Sequence, residues 1–125
     1  MATNDADLLF LPLRQLAAML RKREVSPVAL AEVSLHRLET LGPKYNAVVT
    51  VMRPSALDEA RIAEAEIRAG RIRGPLHGVP YGVKDLLATR GVPTTWGAEP
   101  YRDQVFDYDA TVVRKLREAG AVLVA

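Results

Sequence analysis

Apolar residues recur along the first part of the chain at helical spacing. Leu13, Leu16, Ala17 and Leu20 fall at i, i+3, i+4 and i+7, which predicts a helix over about residues 12–24 with Arg14, Arg21, Lys22 and Arg23 on its wet side. Ser26-Pro27 opens a second helix, over 27–41, with serine as N-cap and proline at the first helical position. Val28, Ala31, Leu35 and Leu38 form its apolar stripe, and Gly42-Pro43 ends it. The pattern changes at Ala47. The run Ala47-Val48-Val49-Thr50-Val51-Met52 is rich in β-branched residues and predicts a buried strand over 47–52. Pro54-Ser55 opens a third helix, over 55–69, with Asp58 completing a capping-box pair and Gly70 as its C-cap. Ala56, Ala60, Ala63 and Ile67 give that helix a narrow face of small side chains that lets it lie close against a sheet, while Glu64 and Arg68 stand four apart and pair on its exposed side.

The second part is less periodic. Val79 to Lys84 reads as extended backbone entering the core beside the first strand, and Leu86 to Thr89 as its continuation, so a strand is predicted over 79–89. Strand, helix and strand in that order predict a right-handed crossover and a parallel pair. Thr94 to Gly97 is placed to line a pocket, although core packing is the simpler role for Trp96. Residues 99–108 form a loop. Asp109 caps a helix over 110–119 whose apolar side is Val112, Val113, Leu116 and Ala119, and 121–125 reads as a buried strand. Residues 1–7 are small and polar and are expected to fray. The expected class is α/β, a sheet flanked by helices.

Composition narrows the function more than the fold. A chain of 125 residues, 49% of them hydrophobic, fits one domain with a core. The net charge of +2 comes from arginines scattered among acids, which argues against nucleic acid as the main partner. Cysteine is absent, so disulfides and thiolate metal sites are excluded. Neither a signal peptide nor a membrane span can be read, and a cytoplasmic location is expected. His36 lies near the second helix's stripe with no second ligand at metal spacing, so it is assigned to packing. Arg71-Ile72-Arg73 is read as a solvated linker.

The stretch Gly74-Pro75-Leu76-His77-Gly78-Val79-Pro80-Tyr81-Gly82-Val83-Lys84-Asp85 packs three glycines and two prolines into twelve residues and ends on one basic side chain. Stiff, closely packed backbone that delivers a single lysine is a means of positioning an amine for chemistry. On spacing alone, the same residues also fit a loop carrying a solvated Lys-Asp pair.

Leu76 to Asp85 resembles the lysine-bearing motif of the amidase signature family. The similarity continues through Thr89-Arg90-Gly91-Val92-Pro93-Thr94-Thr95-Trp96-Gly97, through Asp109-Ala110-Thr111-Val112-Val113, and through Leu116 to Val124, with the blocks in the family's order. The resemblance implies an amidase signature fold, of which residues 1–125 would be an incomplete N-terminal part, a portion of a mixed β-sheet flanked by helices. It implies hydrolysis of a small-molecule amide through a Ser–cis-Ser–Lys triad, without cofactor or metal, with Lys84 as the lysine. Both serines and the oxyanion glycines would come from a later Gly/Ser-rich segment. Here the only serines are Ser26, Ser34 and Ser55, all in caps or helices. A lysine in water titrates near 10.4 and is a poor base at neutral pH, so the role requires burial, which favours the neutral amine. Asp85 is expected to be structural, accepting backbone donors in its turn, because neighbours on an extended chain point to opposite faces. This chain alone is expected to be inactive. Two alternatives remain. One is a glutamyl-tRNA amidotransferase A-type subunit, which needs partner subunits and meets nucleic acid only indirectly. The other is a non-catalytic interaction module retaining part of the fold. Self-association is left open.

Overall fold

The computed structural model describes residues 5–125, with side chains from Asp7 onward. Among the described residues, six α-helices run α1 Asp5–Leu8, α2 Leu13–Lys22, α3 Pro27–Thr40, α4 Gly42–Tyr45, α5 Arg53–Arg68 and α6 Thr111–Glu118. Strands β1 Pro80–Tyr81 and β2 Val122–Leu123 form a two-stranded parallel sheet, with Pro80 opposite Val122 and Tyr81 opposite Leu123. Fraying of residues 1–4 lies outside the described residues, whereas Asp5–Leu8 is helical.

Several local signals act as their chemistry dictates. The Ser26 hydroxyl accepts the Val28 and Ala29 N–H groups at 3.1 and 3.2 Å. It also donates to Glu64 Oε1 at 2.5 Å, tying the start of α3 to α5. The two helices pack on each other and on the sheet through Ala31, Leu35, Ala56, Ala60, Val122 and Val124. A second cluster joins Leu8, Leu16, Leu20, Val25, Leu30 and Val79. The Arg68–Glu64 pair forms at 3.4 Å.

Other signals are overridden. Residues 47–52 are not a strand. Met52 N–H reaches Val124 O at 2.9 Å, but Val49 is 68% exposed. β-branched residues favour a strand only where neighbours cover them, and no strand lies against Val48 and Val49 among the described residues. The predicted strand over 79–89 contracts to Pro80–Tyr81 because Leu86 and Leu87 both donate to Lys84 O, at 2.7 and 3.1 Å, closing a turn. The neighbour of β1 is β2, not residues 47–52, and the parallel crossover contains α6. The strand predicted over 121–125 is regular only at Val122–Leu123.

Gly42 opens α4 instead of capping α3, and Asn46 takes the left-handed position at φ 50°. Helix α5 begins at Arg53, so Ser55 lies inside it and donates to Met52 O, while Asp58 pairs with Arg61. Asp109 is not a cap, since Ala110 holds that position and Asp109 faces other partners. Arg73 is no free linker residue, because it grips Glu66 through Nε and a terminal nitrogen at 2.7 and 2.6 Å.

His77 lies buried where the 71–78 loop meets α5 and Gly120, just ahead of β2. Its Nδ1 accepts the Arg73 N–H at 3.1 Å, so the neutral ring carries its proton on Nε2. Nε2 stands 3.1 Å from Glu66 Oε2, in alignment too poor for a hydrogen bond. Burial lowers the imidazole pKa below its usual 6.5 against the opposing pull of Glu66. Protonation would also set an Nδ1–H against the Arg73 N–H. The folded chain thus binds fewer protons here than the unfolded chain. Its contribution to stability is complete above pH 6.5 and is lost as the pH falls through the lowered value. Urea unfolding at pH 7.5 and 5 is expected to give a lower midpoint at pH 5, and His77→Gln is expected to shrink that difference. An unchanged difference in the variant would assign the acid sensitivity elsewhere.

Candidate active site

The loop leaving β1 presents Lys84. Val83 N–H donates to Ala125 O at 3.0 Å, which fixes the chain just before the lysine to the end of the β2 segment. Asp85 fixes it just after. Its Oδ1 accepts the Thr95 N–H at 2.7 Å, its Oδ2 takes the Thr95 hydroxyl, and its carbonyl accepts the Trp96 N–H at 3.0 Å. Asp85 therefore does accept backbone donation in a turn, as read from the sequence.

A cavity of about 390 Å³ opens beside this loop, with Lys84, Asp85, Thr94, Val48, Met52 and Leu123 among its walls. Thr94 is buried on its wall, but Trp96 is neither core nor lining. It is 45% exposed at φ 54° and packs against Tyr101 with ring centroids 4.8 Å apart. Lys84 is exposed, so the described residues do not supply the burial that a neutral lysine requires. The three serines stand elsewhere. Ser26 caps α3, Ser34 donates to Leu30 O at 2.9 Å, and Ser55 donates to Met52 O at 3.2 Å.

A polar network behind the sheet was not apparent from the sequence. Glu59 accepts the Leu123 N–H at 2.9 Å, satisfying a donor on the outer edge of β2, and lies 3.4 Å from Arg117 Nε. Arg117 also pairs with Asp109, whose other oxygen accepts the Arg90 N–H at 2.9 Å. Burial, then the Glu59 carboxylate, pushes the Tyr81 hydroxyl up to about 12. These partners are separated by as many as 64 positions, so no local spacing announces them. His36 is exposed on α3, and no cluster of three or more potential metal ligands occurs among the described residues. Nor is any of the described helices long and apolar enough to cross a membrane.

A family model described as Amidase matches residues 29–125. The chain belongs to the amidase signature family. It is 44% identical over 114 residues to the putative amidase AmiD of Mycobacterium tuberculosis, which covers 91% of this chain and 24% of that protein. It is also 44% identical over 118 residues to the A-type subunit of the glutamyl-tRNA(Gln) amidotransferase of Geobacter sulfurreducens, covering 94% of this chain and 24% of that one. The solved peptide amidase of Stenotrophomonas maltophilia superposes with a TM-score of 0.84 at 35% identity, covering 90% of this chain and 23% of that enzyme. The chain thus spans about a quarter of the length of these relatives.

Proposed function

We propose that this chain supplies the lysine base of an amide C–N hydrolase of the Ser–cis-Ser–Lys type, and that Lys84 is that base. It is read as the N-terminal part of a single amidase domain, residues 1–125, acting on a small-molecule amide. The observation that carries the reading is the mounting of Lys84. Its two neighbours are hydrogen-bonded to different parts of the fold, and the amine-bearing residue lies on the wall of a cavity. Cleaving an amide needs an activated nucleophile, a proton donor for the leaving nitrogen and donors for the oxyanion. In this reading the neutral lysine takes the nucleophile's proton through the bridging serine. Of these parts the chain offers the lysine. Its own serine hydroxyls serve as a helix cap or bond back within helices, and Lys84 is exposed.

The purified 125-residue chain is accordingly expected to show no amide hydrolysis above background on a peptide amide. Joined to the region that follows the matching segment of the S. maltophilia peptide amidase, it is expected to show hydrolysis. Turnover by the isolated chain that disappears in Lys84→Ala would overturn this division of parts. The equal identity to an amidotransferase A-type subunit supports a second reading, in which the same lysine serves ammonia release within a multi-subunit complex. Co-purification of partner subunits from the source cell separates the two.

A further inference from the structure

We infer that Asp85 and Thr95 form a clamp that both fixes Lys84 in place and keeps the Asp85 carboxylate away from the Lys84 amine. The inference rests on the reading of Lys84 as a base. A carboxylate that swings within reach of a lysine favours the ammonium over the neutral amine a base must become. The fold gives this carboxylate another use. One oxygen accepts the Thr95 N–H at 2.7 Å and the other takes the Thr95 hydroxyl. That hydroxyl oxygen in turn accepts the Gly97 N–H at 3.2 Å.

The turn that holds Asp85 is itself anchored. Thr94 is 2% exposed, its N–H donates to Gln104 O at 2.8 Å, and Gln104 Nε2 donates back to Thr94 O at 3.0 Å. Hydrogen bonds to a carboxylate are about twice as strong as those between neutral groups, so Asp85 is held more firmly than a solvent-exposed ion pair would hold it. Among the described residues, no ion pair includes Lys84. Asp85 and Thr95 are positioning residues in this account. Neither needs to touch substrate.

The test uses the 125-residue chain itself and needs no turnover. Trp96 is the only tryptophan, and its backbone N–H donates to Asp85 O, so its fluorescence reports the clamp. Trace acetylation at neutral pH, read by mass spectrometry, compares Lys84 with Lys22, Lys44 and Lys115 in the same tube. Thr95→Val removes the hydroxyl and keeps the branched shape. It is expected to red-shift Trp96 emission and to lower Lys84 labelling about two- to fivefold against the other three, the range of an exposed ion pair. Thr95→Ser is expected to match the parent in both readouts, and adding Asp85→Asn to Thr95→Val to restore Lys84 labelling. A purely structural role would change all four lysines together.

Parental emission in Thr95→Val would show that no clamp exists. Shifted emission with an unchanged Lys84 ratio would show that the lysine is indifferent to it. Either overturns the inference. If Thr95→Val unfolds, the Asp85→Asn chain decides. It should shift Trp96 emission without lowering the Lys84 ratio, and a lowered ratio rejects the inference. Because labelling is independent of catalysis, a catalytically dispensable Lys84 would remove the reading of the lysine while leaving these results intact.

Discussion

Lys84→Ala is expected to lower amide hydrolysis about a thousandfold or more in a whole-length amidase built around this segment, while leaving its folding unchanged. Both halves of the expectation have a physical source. General bases contribute about 10²- to 10⁴-fold, and members of a catalytic unit act together, so removing one forfeits most of what the others supply. Folding should be spared because Lys84 makes no ion pair among the described residues, so its loss leaves no partner charge there unpaired. The measurement pairs kcat with thermal unfolding on the same preparation. The loss should fall on kcat, since a proton acceptor acts in the transition state more than in substrate binding. A variant that retains the parental rate would mean the motif delivers a different group to the reaction. A variant that loses its melting transition would make Lys84 structural instead.

How much of this was legible in the residues depends on the range over which each feature is determined. Ser26-Pro27 marks the start of α3 because cap and helix lie within four residues of each other. The small-residue face Ala56, Ala60, Ala63 and Ile67 is buried as its spacing predicts, because helical periodicity is local too. Strands are less legible. Val48 and Val49 have strand-forming side chains, but a strand exists only when another chain segment pairs with it, and that segment is not encoded nearby. Lys84 stands out because glycine and proline crowd the residues before it. The groups that hold its surroundings are spread more widely. Thr95 lies ten positions from Asp85, and Glu59 lies 64 from the Leu123 amide it satisfies. A carboxylate at 59 reads as the exposed side of a helix until the fold brings β2 against it. The same holds for His77, which in sequence is one more residue of a turn-rich motif. Its burial against α5 and Gly120 is a property of the assembled chain.

Gly120→Ala is expected to destabilise the chain by about 3 kcal/mol, the largest effect foreseen for adding a single methyl group. Two costs combine. Gly120 sits at φ 78°, where an L-residue other than glycine costs about 1–2 kcal/mol. An added Cβ would also overlap His77 Cδ2 and stand 3.0 Å from Cγ and Nε2. The ring cannot easily move aside, since it is buried and its Nδ1 holds the Arg73 N–H. Overpacking of this kind costs about 1–3 kcal/mol, and the strain falls where Gly78 N–H meets Gly120 O at 2.8 Å beside the start of the sheet. Gly91 supplies the control. Its φ of 75° is nearly the same, but nothing lies within 4 Å of a Cβ there. Gly91→Ala should therefore carry the conformational cost alone, about 1–2 kcal/mol. Urea denaturation of both variants at pH 7.5 measures the difference, which isolates the contact with His77 from the backbone term. If Gly120→Ala unfolds no more readily than Gly91→Ala, then His77 yields to the methyl group, and the 71–78 loop is less firmly held against β2 than its hydrogen bonds imply.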